Sequence, residues 1–479
     1  MNKVEALYAK KNEIMKKSVG IDYDKYEYGT LSFDYDLLME EAGYTLSQID
    51  QIQSIYGANH TPLKELLHIN QLVKACSKEG YGARIFLKDE ALNDSGSFKA
   101  RRASIACYHA KKLGFRGVIA ATSGNYGAAV ASQAAKHGLK CIIVQECYDS
   151  LGIGQPEIIE KSRACEAYGA EVIQLSVGPE LFYVFLQLLE ETGYFNASLY
   201  TPYGIKGIET LGYECVQDCL ALTNKVPDAI VVTNAGGGNV TGTARGVLQA
   251  TQKKVQIIGA SVNLKGLHMA KDTDFNKKSF TTGHTGFGIP FAINPDRSDV
   301  PRSAARPLRY LDRYVTVTQG QVFFMTEVLC LLEGIERGPA GNTSLAAAFA
   351  IAKEMKTDQI VVVQESEYTG AGKHHQAQLS FARNQGIHIA FGNPQEEIPG
   401  KSILLPNNLK DFTVQEIFLP DVRAQYLKTI LGNQESIQEV DIAYLMAETK
   451  LTRQEVISYL EQHGIQWEET YAKQTISGR

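Results

Sequence analysis

Between residues 117 and 176 short apolar runs and alanine-rich segments take turns, and this alternation limits the possible folds more tightly than any other feature of the chain. GVIAATS (117–123), KCIIVQE (140–146) and AEVIQLS (170–176) have the length and composition of strands. YGAAVASQAAKHG and PEIIEKSRACEAYG, which separate them, have the length of helices and close on a glycine. Apolar strands alternating with helices are what a parallel sheet covered on both faces requires. A second series, DAIVVTN (228–234), VQIIGASV (255–262) and QIVVVQE (359–365), repeats the pattern. The expected fold is α/β, with two doubly wound parallel or mixed sheets in neighbouring domains.

Other segments depart from that texture. Residues 1–60 are rich in tyrosine and charge and read as an extension without a core of its own, 263–318 lose the alternation, and the chain changes character after FGNPQEEIPG. DIAYLMAETKLTRQEVISYLEQHG (441–464) reads as two short helices, the second opened by a capping box from Thr452 to Glu455. The 479 residues carry a formal net charge of −5, without the basic excess that nucleic acid or an anionic membrane favours. The first twenty residues hold lysines but no apolar stretch, and no run reaches membrane-spanning length, so the expected location is cytoplasmic. Cys76, Cys107, Cys141, Cys147, Cys165, Cys215, Cys219 and Cys330 are scattered, without metal-ligand spacing, and read as reduced thiols.

Four short stretches carry chemistry. In SGSFKARRA (95–103) Lys99 follows a small-residue turn and begins a helical pattern, where partial burial would lower its pKa and let it condense with a carbonyl. ATSGNYGAAVA (121–131) turns from strand into helix at Ser123, Gly124, Asn125 and Tyr126, a site for a carboxylate, with the Asn125 amide free to meet a ring oxygen. VTNAGGGNVTGTARG (232–246) makes the same transition through Gly236, Gly237, Gly238 and Asn239, forming a cradle for one phosphate without the lysine of a P-loop or the spacing of a dinucleotide fingerprint. The strand ending at Glu365 delivers that residue, Ser366 and Thr369 to its carboxyl end, where a hydroxyl or a carboxylate could face a heterocyclic nitrogen. A lysine for an aldehyde, an asparagine for a phenol oxygen, a phosphate cradle and a partner for a ring nitrogen together describe pyridoxal 5′-phosphate.

GSFKAR, TSGNYGAA, AGGGNVTGTARG and the lead-in GANHTPLKEL (57–66) resemble the tryptophan-synthase-β superfamily of pyridoxal-phosphate enzymes, fold type II, and particularly its threonine-synthase-like branch. The resemblance covers roughly 57–262 and 330–370. It implies that Lys99 is the Schiff-base lysine, Asn125 the partner of the cofactor's 3′-oxygen, Ser123 to Tyr126 the substrate-carboxylate loop and Gly236 to Asn239 the phosphate cup. Glu365 and Ser366 compete for the ring nitrogen. On this resemblance the chain divides into an extension over 1–60, a large cofactor-binding domain from 61–95 and 206–395, a small mobile domain over 96–205 and an appendage over 396–479.

Three departures accompany the likeness. EGIERGPAGNTSLAAA (333–348) carries Gly338 where the superfamily usually has glutamate. Ala100 stands where relatives often carry aspartate, and it and Arg102 are assigned to structure, while Gly96 and Ser97 read as clearance for a ring beside Lys99. The segment 263–318 holds Arg297, Arg302, Arg306, Arg309 and Arg313, which fit either a surface insertion paired to nearby acids or a docking strip for a phosphorylated cosubstrate such as coenzyme A. Across its whole length the chain is most similar to the cofactor-bearing β subunits of the pyridoxal-phosphate thiolases of ornithine breakdown. That resemblance implies thiolytic cleavage of 2-amino-4-oxopentanoate by coenzyme A to acetyl-CoA and alanine, with a small α subunit as partner and a higher oligomer. The same motifs serve β- or γ-elimination and replacement of the threonine-synthase or ammonia-lyase type, which stands as the alternative. A cofactor-binding regulator is disfavoured, because the helix pair 441–463 sets four acids against two bases, the wrong sign for DNA.

Overall fold

The computed structural model describes residues 3–122, 124–267, 272–281, 288–296, 299–368 and 375–468. Two sheets organise the chain. The larger runs, in spatial order, Gln415–Glu416, Arg313–Val317, Gln256–Val262, Ala229–Thr233, Ile360–Glu365, Arg84–Asp89 and Leu63–Glu65. Its five central strands are parallel and the short strand at each edge is antiparallel. The smaller sheet is wholly parallel, in the order Glu171–Ser176, Lys140–Tyr148, Gly117–Thr122 and Phe195–Asn196. The expected α/β class is therefore borne out, and all six strands read from the apolar runs are present.

Arg84–Asp89 escaped the periodicity because charges bound and shorten its apolar run, and Arg313–Val317 because it is short and follows a stretch without alternation. RIFLKD is nonetheless a central strand, made tolerable by the ion pairs of buried Lys88 with Glu214 and Asp218, each at 2.7 Å. Helix Pro202–Thr223 packs closely on helix Gly238–Ala250, and glycine permits this from both sides. A Cβ on Gly212 would lie 2.0 Å from the Thr243 carbonyl oxygen, and one on Gly246 would lie 1.9 Å from that of Glu209.

The arginine-rich segment faces inward. Arg306 Nη1 lies 3.1 Å from Asp296 Oδ1, and its Nε donates to Glu448 at 2.6 Å. Arg309 pairs with Glu448 and Asp36, Arg302 with Glu27 and Asp296, and Arg313 with Glu354 and Glu416. The paired-insertion reading thus holds for these four, and they are not a free anion-docking strip; Arg297 lies outside the described residues. The C-terminal helices are Glu439–Thr449 and Arg453–Gln462, and the Thr452–Glu455 capping box is present. Asp441 accepts from the backbone N–H groups of Thr30, Leu31 and Ser32 and from Ser32 Oγ at 2.6 Å. Ile442, Tyr444, Leu445, Val456 and Leu460 share one apolar cluster with Phe33, Tyr35 and Ile49, so the two ends of the chain are packed together. Among the described residues no helix is long and apolar enough to cross a membrane.

Candidate active site

Lys99 is the first residue of helix Lys99–Lys112. The turn before it is held by strand-like pairing: Phe98 N donates to the Ser366 carbonyl at 3.1 Å, Tyr368 N donates to the Gly96 carbonyl at 2.7 Å, and Ser97 bridges Glu367. Gly96 adopts φ +75°, and a Cβ there would lie 2.9 Å from the Tyr368 carbonyl oxygen. Its small size therefore serves the approach of backbone 366–368. Through this pairing the helix that carries Lys99 is fastened to the end of the strand that carries Glu365.

The helix is anchored again two residues on. Arg101 is fully buried and makes bidentate contacts with Glu90 at 2.7 and 2.8 Å and with Glu214 at 2.7 and 2.8 Å. Glu90 follows strand Arg84–Asp89 and Glu214 lies on helix Pro202–Thr223, so Arg101 ties the Lys99 helix to both.

Around Lys99 lies a charge cluster that the sequence motifs did not reveal. Lys161 Nζ lies 2.5 Å from Glu157 Oε1 and 3.7 Å from Glu367 Oε2, and all three side chains are buried. Lys161 and Glu157 both lie on helix Pro156–Ala167, four residues apart, the spacing that stacks side chains on one face. A Cβ on Gly124 would lie 3.3 Å from Lys161 Nζ, so the ammonium abuts the 124–126 turn. Burial pulls the Lys99 amine down to about 8; Lys161 and Arg102 act in the same direction, and Glu367 and Glu157 oppose them. Burial also disfavours the Lys161 ammonium, but Glu157 and Glu367 outweigh it and raise its pKa. Two lysines in one pocket are thereby driven apart, one towards a neutral nucleophile and one towards a fixed cation. The i, i+4 pair at 157 and 161 was a signal in the sequence, indistinguishable there from a solvated helix pair.

The 124–126 turn begins helix Asn125–His137, with Asn125 half-buried at its first position; Ser123 lies outside the described residues. The Tyr126 ring is buried and its hydroxyl donates to the Ala197 carbonyl at 2.6 Å, so that side chain faces the core. In the 236–239 turn, Gly237 has φ +80° and Gly238 opens helix Gly238–Ala250. Asn239 Nδ2 donates to Gln364 Oε1 at 3.0 Å, and Gln364 Nε2 donates to Thr243 Oγ1 at 2.9 Å. Strand parity explains why the cup is anchored by Gln364, since neighbouring Glu365 must point to the opposite face.

Glu365 reaches towards Gly341, where a Cβ would lie 1.7 Å from its Oε1. Among the described residues neither of its buried carboxyl oxygens has a hydrogen-bond partner of good geometry, and burial holds its pKa well above the carboxylate range, with the charges of Asp89 and Glu367 adding to the effect and Arg337 and the nearby Glu367 backbone N–H opposing it. Ser366 is buried beside it, and Thr369 lies outside the described residues.

The residues present fit pyridoxal phosphate. Among the described residues Ser97 Oγ and both oxygens of Glu365 are buried without a partner of good geometry at the carboxyl side of the larger sheet, where a ligand would satisfy them. A nucleophilic amine and a glycine turn at a helix N-terminus adjoin them. Among the cysteines, burial pushes the Cys147 thiol up to about 11 and Cys215 up to about 12, and raises Cys107 and Cys141 further, so none of these four is poised as a thiolate.

Comparison with known proteins agrees with this geometry. A family model described as "Pyridoxal-phosphate dependent enzyme" matches residues 57–366. The chain is 63% identical over 444 residues, covering 92% of itself and 94% of the relative, to the "2-amino-4-ketopentanoate thiolase beta subunit" of Acetoanaerobium sticklandii. It is 60% identical over 463 residues, 96% of itself and 98% of the relative, to a protein of the same name from an unknown prokaryotic organism. Among solved structures, a threonine deaminase superposes with a TM-score of 0.52 at 24% identity, covering 68% of this chain and 97% of that one, a likeness of fold.

Proposed function

The chain belongs to the pyridoxal-phosphate-dependent enzyme family, and from that premise we propose that it is the cofactor-bearing subunit of a thiolase that cleaves 2-amino-4-oxopentanoate with coenzyme A, giving acetyl-CoA and alanine. The observation that carries this is the 63% identity to a thiolase β subunit over 92% of the chain, well beyond residues 57–366 that the family model matches. A small second subunit completes the enzyme on this reading, and the reaction belongs to ornithine degradation in the cytoplasm. Residues 96–205 act as the small mobile domain and 61–95 with 206–395 as the large one.

Lys99 would hold the cofactor covalently, and its amine, when not so engaged, would move the α-proton. The 123–126 turn takes the substrate carboxylate, aided by the Lys161 ammonium beside Gly124, and Asn125 meets the ring oxygen. Gly236, Gly237, Gly238 and Asn239 form the phosphate cup. For the ring nitrogen we favour Glu365 over Ser366, because a buried carboxyl with two unpartnered oxygens is satisfied by sharing a proton with a base. The bound cofactor supplies an electron sink for the electrons left on Cα and C3. The coenzyme A thiol loses its proton and attacks the C4 carbonyl; the C3–C4 bond breaks, the acetyl group leaves on sulfur, and protons return to C3 and Cα. Direct attack is supported over a protein-bound acetyl group by the raised thiols of Cys107, Cys141, Cys147 and Cys215.

The test is to purify the chain with and without its small partner and add 2-amino-4-oxopentanoate, then coenzyme A. Consumption of free thiol with equimolar acetyl-CoA and alanine is expected. Release of ammonia from the amino acid without coenzyme A would overturn the reading in favour of elimination.

A further inference from the structure

Arg102 follows Arg101 in the same helix but has a different environment. Arg101 meets two carboxylates; Arg102, only 3% exposed, makes no ion pair among the described residues. Its Nε donates to the Gly204 carbonyl at 3.3 Å and Nη2 to the Leu199 carbonyl at 2.5 Å. Burial lowers its pKa, and the ionisable side chains that favour its charge, the phenols of Tyr126 and Tyr200, do not offset that. A guanidinium has five N–H donors, and a buried cation without a counter-ion is costly. The arrangement lacks an anion.

The guanidinium also points to where that anion would sit. A Cβ on Gly238 would lie 2.1 Å from Arg102 Nη2 and 3.0 Å from Nη1, so both terminal nitrogens rest against the first residue of helix Gly238–Ala250. A Cβ on Gly236, at the other side of the turn, would lie 2.2 Å from Tyr200 Oη. The start of this 13-residue helix already favours negative charge through its free N–H groups and dipole. A helix N-terminus and an uncompensated guanidinium therefore converge on one turn.

We propose that Arg102 is a direct side-chain ligand of the cofactor's phosphate, so that the cup holds its anion by charge as well as by backbone N–H groups. This rests on the placement of that phosphate at residues 236–239. Lys99 and Arg102 stand three residues apart on one helical face, neighbours one turn along it. The aldehyde and the phosphate arm of pyridoxal phosphate leave adjacent ring carbons, so a single helix face addresses both. Arg102, which the sequence assigns to structure, becomes a cofactor ligand.

Cofactor-free protein titrated with pyridoxal phosphate and with pyridoxal, followed by visible absorption, separates a phosphate ligand from a clamp. Arg102→Gln is expected to weaken pyridoxal phosphate about 10- to 100-fold and leave pyridoxal unchanged, with Arg102→Lys between wild type and Arg102→Gln. The 31P resonance of the bound wild-type cofactor should stay constant from about pH 5.5 to 8, as a held dianion, and titrate in Arg102→Gln. Equal weakening of both ligands would make Arg102 a structural clamp, and undiminished pyridoxal phosphate affinity would remove the assignment. Gly236→Ala tests the cup separately. If it spares the preference for pyridoxal phosphate over pyridoxal, the placement of the phosphate fails; if it abolishes the preference while Arg102→Gln keeps it, the Arg102 assignment alone fails.

Discussion

Lys161 and Glu157 form a buried ion pair at 2.5 Å, four residues apart on one helix, with the ammonium against Gly124. Breaking such a pair from one side leaves buried carboxylates without their cation. Lys161→Met should therefore cost about 3–5 kcal/mol in urea melts, and the Glu157→Gln/Lys161→Met double variant should regain part of it. Since the Lys161 charge helps hold Lys99 down, the Lys99 amine should titrate above its present value of about 8 in the single variant, seen as a shift to higher pH in the rate of cofactor loading.

Lys99→Ala should abolish the covalent attachment while leaving the fold intact, because among the described residues the side chain has a cation–π contact with Phe98 but no ion pair to lose. The checks are loss of borohydride-fixed cofactor and an unchanged melting curve. In wild type the rate of loading should rise with pH through about 8, as the amine loses its proton.

Glu365→Gln should leave the protein folded and slow the reaction. With its pKa raised by burial, Glu365 is neutral in the folded state but ionised in the unfolded chain above about pH 4.5, so stability falls as pH rises beyond that point. The amide removes this term, and melts at neutral pH should show the variant at least as stable as wild type. Turnover should drop about 100-fold if the carboxyl shares its proton with the ring nitrogen.

Gln364→Leu withdraws the hydrogen bonds to Asn239 and Thr243 that hold the glycine cup to the central strand. A loss of about 1–3 kcal/mol in stability is expected, with weaker binding of pyridoxal phosphate measured by titration.

Glu448→Gln loosens the joint between the appendage and the arginine segment, where Arg306 and Arg309 converge on one buried carboxylate. Both arginines, against burial, hold that carboxyl below its usual pKa. The stability it contributes is present above about pH 4.5 and lost as pH falls through its depressed folded value. Wild type should therefore lose more stability than Glu448→Gln on acidification, and limited proteolysis at neutral pH should release residues 396–479 faster from the variant.

The sequence by itself determined what depends on neighbours along the chain. Apolar runs became the strands Gly117–Thr122 and Ile360–Glu365, the Thr452 capping box formed, and GSFKAR, GNYGAA and AGGGNVTGTARG each lie where a turn gives way to a helix, because propensity, capping and turn chemistry act over a few residues. Tertiary structure decided whatever depends on what crosses over. RIFLKD is a core strand only because Glu214 and Asp218, far along the chain, neutralise Lys88. Lys161 is a site cation rather than a surface charge only because its helix packs beside the Lys99 turn, and Arg306 and Arg309 are internal ties only because Glu448 folds back onto them. Arg101 and Arg102 are the sharpest case. They are identical and adjacent in sequence, yet one turns towards two carboxylates and the other towards the glycine cup, since residues next to each other on a helix project about 100° apart.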